Sequence, residues 1–136
     1  MLLCSPSGAR NLRAFMPIVQ SGDYFVVEFA YRRFGYSVMT ARTTTGDVPW
    51  PVNEFIAYAN GKQVRLVRAM RDSPRWEFYT SGVVLLFEHT SRYLVRRIGD
   101  RFQRDDVYSY AENWGASVYD PAFWRSEAAA FTFVRK

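Results

Sequence analysis

The side chains best suited to chemistry in this chain are one histidine, one cysteine, a pair of aspartates and a run of arginines. His89 stands in the stretch EHTSR with Ser91 two residues on, a spacing that suits a lone general base beside a hydroxyl. The same residues suit a solvated turn between two strands, and that reading is preferred. A zinc cluster or a Cys/His dyad would require His89 and Cys4 together, plus carboxylates. Asp105 and Asp106 offer oxygens to a hard cation, yet they precede an apolar-periodic run, where acidic groups cap a helix. The sequence contains no glycine-rich phosphate loop, Walker pattern or dinucleotide fingerprint. No cofactor, no metal site and no catalytic residues are expected, and the chain reads as a non-enzyme.

Arginine chemistry remains. Arg92, Arg96, Arg97, Arg101 and Arg104 alternate with Tyr93 and Phe102, a pattern able to contact phosphates while rings stack on bases. Against a nucleic-acid footprint, Asp100 interrupts the run and the aromatics serve a core equally well. Residues 62–104 carry ten basic side chains against four acidic, whereas residues 105–127 carry five acidic against Arg125 alone. Neighbouring segments of opposite sign complement each other. The four tryptophans, Trp50, Trp76, Trp114 and Trp124, are hard to bury completely in a chain of 136 residues. Tryptophan and arginine together are enriched at protein interface hot spots. The candidate interaction surface is therefore Trp50, Arg92, Arg96, Arg97, Arg101, Arg104, Trp114 and Trp124. A protein partner is favoured over a nucleic acid.

These residues need a scaffold, and 136 residues suit a single domain with one core. A hydrophobic fraction of 49% with 18% aromatic excludes disorder, and no apolar run approaches the ~20 residues of a membrane span. The lone Cys4 makes no internal disulfide. Residues 1–22 contain Arg10, Arg13 and several serines but no acidic residue, which fits an extended N-terminal arm or a mitochondrial targeting segment. The domain proper is expected over 23–136. Its clearest feature is the alternation of Phe25, Val27, Phe29 and Tyr31, which with Gly35 predicts a β-hairpin over 23–45. In that hairpin Phe29 faces Met39 and Val27 faces Ala41.

Pro51 then opens an expected helix over 51–58, stopped by Asn60-Gly61. Strands are expected over 63–70 and 75–80 around an Asp72-Ser73-Pro74 turn. Ser81-Gly82 turns the chain into a further strand over 83–88, which places Arg75 opposite Glu88 as an ion pair. Another strand is expected over 93–98, although Leu94, Ile98 and Phe102 also fit helical spacing. Asp105-Asp106 opens a helix through Trp114, ended by Gly115. Asp120-Pro121 opens a second, with Phe123, Trp124, Ala128 and Phe131 on its inner face and an extended tail after it. The fold class is α+β: an antiparallel sheet of about five or six strands with two or three short helices packed on one side.

From Gln63 onward the order of pieces resembles the small matrix-side accessory subunit of mitochondrial respiratory complex I. The resemblance runs through Val64-Arg65-Leu66, Arg75-Trp76-Glu77-Phe78, Arg101-Phe102, the segment 105–115, Val118-Tyr119-Asp120 and Phe131-Thr132-Phe133-Val134-Arg135-Lys136. That family's Pro-Leu-Met-Gly-Trp segment has no counterpart between Phe78 and Phe102, and residues 1–62 lie outside the resemblance. The resemblance implies a cofactor-free accessory subunit that braces larger protein neighbours in the mitochondrial matrix; without it the expected compartment is the cytoplasm. Two other readings remain: a small bacterial or phage inhibitor of one partner enzyme, and a basic nucleic-acid-binding module.

Overall fold

A computed structural model describes residues 2–4, 12–16, 24–125 and 131–132. In chain order they form β1 (Leu2–Cys4), β2 (Ala14–Met16), α1 (Tyr24–Phe34), β3 (Val38–Thr43), β4 (Val52–Ala59), β5 (Lys62–Asp72), β6 (Arg75–Gly82), α2 (Arg104–Asn113) and β7 (Phe131–Thr132). The fold is α+β. Its main sheet has four antiparallel strands in the order β3-β4-β5-β6, and β2-β1-β7 form a second, three-stranded sheet.

The expected strand over 25–31 is instead α1, and its partnership with 36–45 does not exist: Met39 lies opposite Ala57 and Ala41 opposite Phe55. Aromatic and β-branched side chains bias YFVVEFAYRRF toward a strand, but the contacts are helical. Glu28 reaches Arg32 one turn on, and Val27 and Tyr31 pack on the sheet from a single helix face. Arg32 and Arg33 close the helix at its negative end.

The expected helix over 51–58 is β4. It is a central strand buried on both faces, so its apolar residues run continuously instead of alternating. Phe55 and Ala57 join Val67, Ala69, Phe102, Val107 and Tyr110 in one cluster, while Ile56 and Tyr58 join Leu66 and Tyr31 in another. The helices thus lie on opposite faces of the sheet and not on one side. Asn60 (φ 53°) and Gly61 (φ 72°) form the two-residue hairpin turn into β5, which is what Asn-Gly most often signals.

The β5 and β6 expectations hold, joined by a tight turn at Ser73-Pro74. Past β6 there is no strand over 83–88 or 93–98. The chain crosses the α2 face irregularly, with 3-10 turns at Thr90–Leu94 and Ile98–Asp100, and its exposed leucines have no neighbouring strand to pair with. Residues 101–102 and 118–120 are also irregular. The helix near 105 is present as α2, and the Asp106 carboxylate accepts the Gln103 N–H at its start (2.7 Å). Residues 121–124 form turns without a helix; Phe123 is buried beside Ala111, Ala116 and Leu12. Ala128 and residues 133–136 lie outside the described residues, as does Arg10. No described helix is long and apolar enough to cross a membrane.

Between α1 and the sheet, the Tyr31 and Tyr58 rings stack 4.4 Å apart. Burial, then the neighbouring Tyr31 and Glu54, push the Tyr58 phenol from 10.0 up to about 12. A phenol whose pKa is raised by folding stabilises the native state fully below the unfolded value and loses that contribution as pH rises through the folded one. Stability is therefore expected to fall between about pH 10 and 12, by about 1–2 kcal/mol for Tyr58 once partial solvent screening is allowed for. Urea midpoints measured from pH 8 upward, with Tyr58→Phe showing a shallower decline, would check this.

Candidate interaction site

Arg65 lies on the α2 face of β5, and its guanidinium forms a two-pronged ion pair with Glu88, with Nε 2.7 Å from Oε1. Both side chains are almost wholly buried, at 3% and 0% exposure. The Glu88 carboxylate also accepts the Leu85 N–H (2.8 Å) and the Tyr93 hydroxyl (2.7 Å). The Tyr93 and Tyr110 hydroxyls share a hydrogen bond, and Tyr110 accepts the His89 N–H. Arg65 further donates to the carbonyls of Ser81 and Gly82. Burial works against the Arg65 charge, but the hydrogen bond and charge of Glu88, then Tyr93, hold its pKa above the usual range. Burial first, then its bonds to Tyr110 and Glu88, push the Tyr93 phenol strongly upward. Every group in this chain of contacts has a partner, so it acts as a clamp. It fixes the segment from β6 to Leu94 while leaving Val83, Val84, Leu86 and Leu94 exposed, with Leu86 fully so at 107%.

Glu88 is thus an ion-pair partner as expected in kind, but of Arg65 and not of Arg75. His89 packs edge-on to Tyr110, and among the described residues no hydrogen bond joins it to Ser91. No three His, Cys, Asp or Glu side chains converge among the described residues.

A second exposed region belongs to α1. Phe25 and Phe29 stack one turn apart, Phe34 meets Phe29 edge-on, and Tyr36 stacks on Phe34. Phe25 is 72% exposed and Tyr36 61%, so these rings cover one another and not the core. Phe25, Glu28, Phe29, Arg32 and Arg33 line a shallow open cleft of about 270 Å³. Sequence alternation sends Phe25 and Phe29 inward with Val27 and Tyr31. The Glu28/Arg32 and Val27/Tyr31 spacings were the signal that would have split them.

The tryptophans and arginines expected to form a surface differ in how far they are already engaged. Trp50 is exposed, but Trp114 packs edge-on to the buried Phe55, and the Trp124 indole N–H donates to the Val118 carbonyl. Arg92 binds Asp106 (2.8 Å) and Gln103, Arg101 donates to the Val95 carbonyl, and Arg104 donates to the Thr44 carbonyl. Arg96 is exposed and makes no hydrogen bond or ion pair among the described residues; Arg97 has only Asp100 at 3.9 Å. Protein-family models, curated proteins and solved structures offer no match to this chain. The geometry alone therefore carries the functional argument: large exposed apolar groups on α1 and on the segment after β6, with arginines nearby.

Proposed function

We propose that the chain is a non-catalytic accessory subunit that binds larger protein neighbours, with the outer face of α1 as its principal contact. The supporting observation is the row of exposed rings from Phe25 to Tyr36 beside Arg32 and Arg33. Monomeric proteins rarely leave so much contiguous aromatic surface in water. Aromatic rings are rigid and large, and with arginine they form the usual anchors of a protein interface. The resemblance over residues 63–136 makes a respiratory assembly in the mitochondrial matrix the first partner to test.

Tagged full-length protein should be isolated gently from its native cells and analysed by size exclusion and mass spectrometry, before and after nuclease. Co-elution with a large protein assembly, unaffected by nuclease, is expected. Phe25→Ser with Phe29→Ser should weaken it by at least about tenfold while leaving the melting temperature nearly unchanged, since both rings are already solvated. Elution as a free small protein would overturn the reading. Association lost with nuclease would transfer it to nucleic acid, and a one-to-one complex with an acidic enzyme would transfer it to an inhibitor.

A further inference from the structure

The outer face of α1 carries two parallel rows of side chains. Phe25, Phe29 and Arg33 follow one another at intervals of four, and Glu28 and Arg32 run beside them at the same interval. The cleft between the rows is bounded by Phe25, Glu28, Phe29 and Arg32, at positions i, i+3, i+4 and i+7 of one helix. Four residues in that pattern form the hole that receives a single side chain from a facing helix. The shape therefore selects a helix as the occupant, in preference to an extended strand.

The charges select which helix. Glu28 is the one carboxylate on α1, and Arg32 and Arg33 stand in its last turn. Glu28 spends Oε1 on Arg32 (3.1 Å), while among the described residues its Oε2 has no partner and Arg33 makes no hydrogen bond or ion pair. The helix is thus acidic just ahead of its middle and basic at its end, with one unspent group of each sign. An antiparallel neighbour of the same polarity brings Arg33 toward a carboxylate, whereas a parallel copy sets arginine against arginine. α1 itself meets that description. Phe29 is the middle residue of Tyr24–Phe34. Two copies related by a two-fold axis can therefore each place Phe29 in the other's hole and overlap along the whole helix, with Arg33 of each copy beside Phe25 and Glu28 of the other. The helix dipoles then oppose each other, which adds to the attraction.

We propose that the outer face of α1 pairs with the same face of a second copy of this chain, antiparallel and about a two-fold axis. Eleven residues of helix span only about 16 Å. The pair therefore buries less than the ~1,200 Å² of a stable complex and is a weak, reversible dimer. This proposal rests on the reading of α1 as the contact face and names what occupies that face when no larger neighbour does. The two occupants exclude each other.

Sedimentation of the full-length protein between about 1 µM and about 1 mM tests the pairing. A monomer–dimer equilibrium with a Kd of about 100 µM is expected. Phe29→Ser should weaken it at least about tenfold. Glu28→Arg and Arg33→Glu should each weaken it as much, since each sets like charges together at both ends of the pair. An equimolar mixture of these two charge variants should recover the dimer to within about threefold of the native affinity, because opposite charges then meet at both ends. A variant that had merely unfolded would not be recovered by mixing. A monomer throughout the range, a dimer that survives Phe29→Ser, charge variants that dimerise alone as well as the native chain, or a mixture that stays monomeric would each overturn the proposal. If pairing fails by this test but the native assembly is lost with the Phe25/Phe29 variant, the accessory-subunit reading stands without it. If pairing holds and the native assembly survives that variant, the accessory-subunit reading alone fails.

Discussion

Glu88→Gln is expected to lower folding stability by about 3–5 kcal/mol, read as a fall in the urea midpoint at unchanged slope. The size follows from what is left behind. Arg65 is charged, 3% exposed and sits beneath the sheet, so replacing its anion by a neutral amide strands a buried cation. Gln also presents an NH₂ where the carboxylate receives the Leu85 N–H and the Tyr93 hydroxyl, so one of those donors loses its partner too. Arg65→Met combined with Glu88→Leu should recover a large part of the loss, since an apolar pair removes both charges together. Recovery stays incomplete because Tyr93 and the carbonyls of Ser81 and Gly82 still lose a partner. A cost under about 1 kcal/mol for Glu88→Gln would mean that the pair behaves as a solvated surface bridge and not as a buried clamp.

How far the sequence revealed this arrangement depends on whether local pattern and tertiary context agree. They agree in β5 and β6, where the Asp72-Ser73-Pro74 turn and the flanking strand residues point the same way. They agree again in α2, whose acidic first turn and following Gly115 mark both ends. They disagree at β4, where burial on both faces erases the alternation that identifies a strand, so Asn60-Gly61 reads as a helix stop when it is a hairpin turn. They disagree at α1 for the opposite reason: rings left exposed on its outer face break the amphipathic pattern and mimic a strand. The segment after β6 follows neither period, because its shape is set by long-range partners, Arg65 for Glu88 and Tyr110 for the His89 N–H and the Tyr93 hydroxyl. Residues 65 and 88 give no local sign of belonging together.

The candidate surface shows the same limit. Tryptophan content identified interface-prone side chains by type, yet type does not say which are already occupied. Trp114 covers Phe55, and the Trp76 indole lies against Gly99. Phenylalanines placed in the core by periodicity are instead the ones in water. An exposed apolar group becomes visible only when the helix that carries it is correctly assigned, so the error over 23–45 and the omission of Phe25 and Phe29 are one error.

Gly82→Ala is the other substitution expected to be severe, at about 3–4 kcal/mol. Gly82 has φ of 87°, where an L side chain is strained by about 1–2 kcal/mol. Its added Cβ would also lie 2.0 Å from the Val64 carbonyl oxygen, which is itself bonded to the Val83 N–H. Backbone cannot rotate aside as a side chain can, so the end of β6 must separate from β5 or the Val83 bond must break. Gly115 supplies the internal comparison. It has φ of 105° with nothing within 4 Å of an added Cβ, so Gly115→Ala carries the conformational cost alone, about 1–2 kcal/mol. The difference between the two variants therefore measures the close approach of β6 to β5 at the point where the clamp begins. Gly82→Ala should also raise amide exchange through residues 83–94, because Arg65 holds both that turn and Glu88. Equal stability losses for the two variants would show that the strands do not meet so closely there.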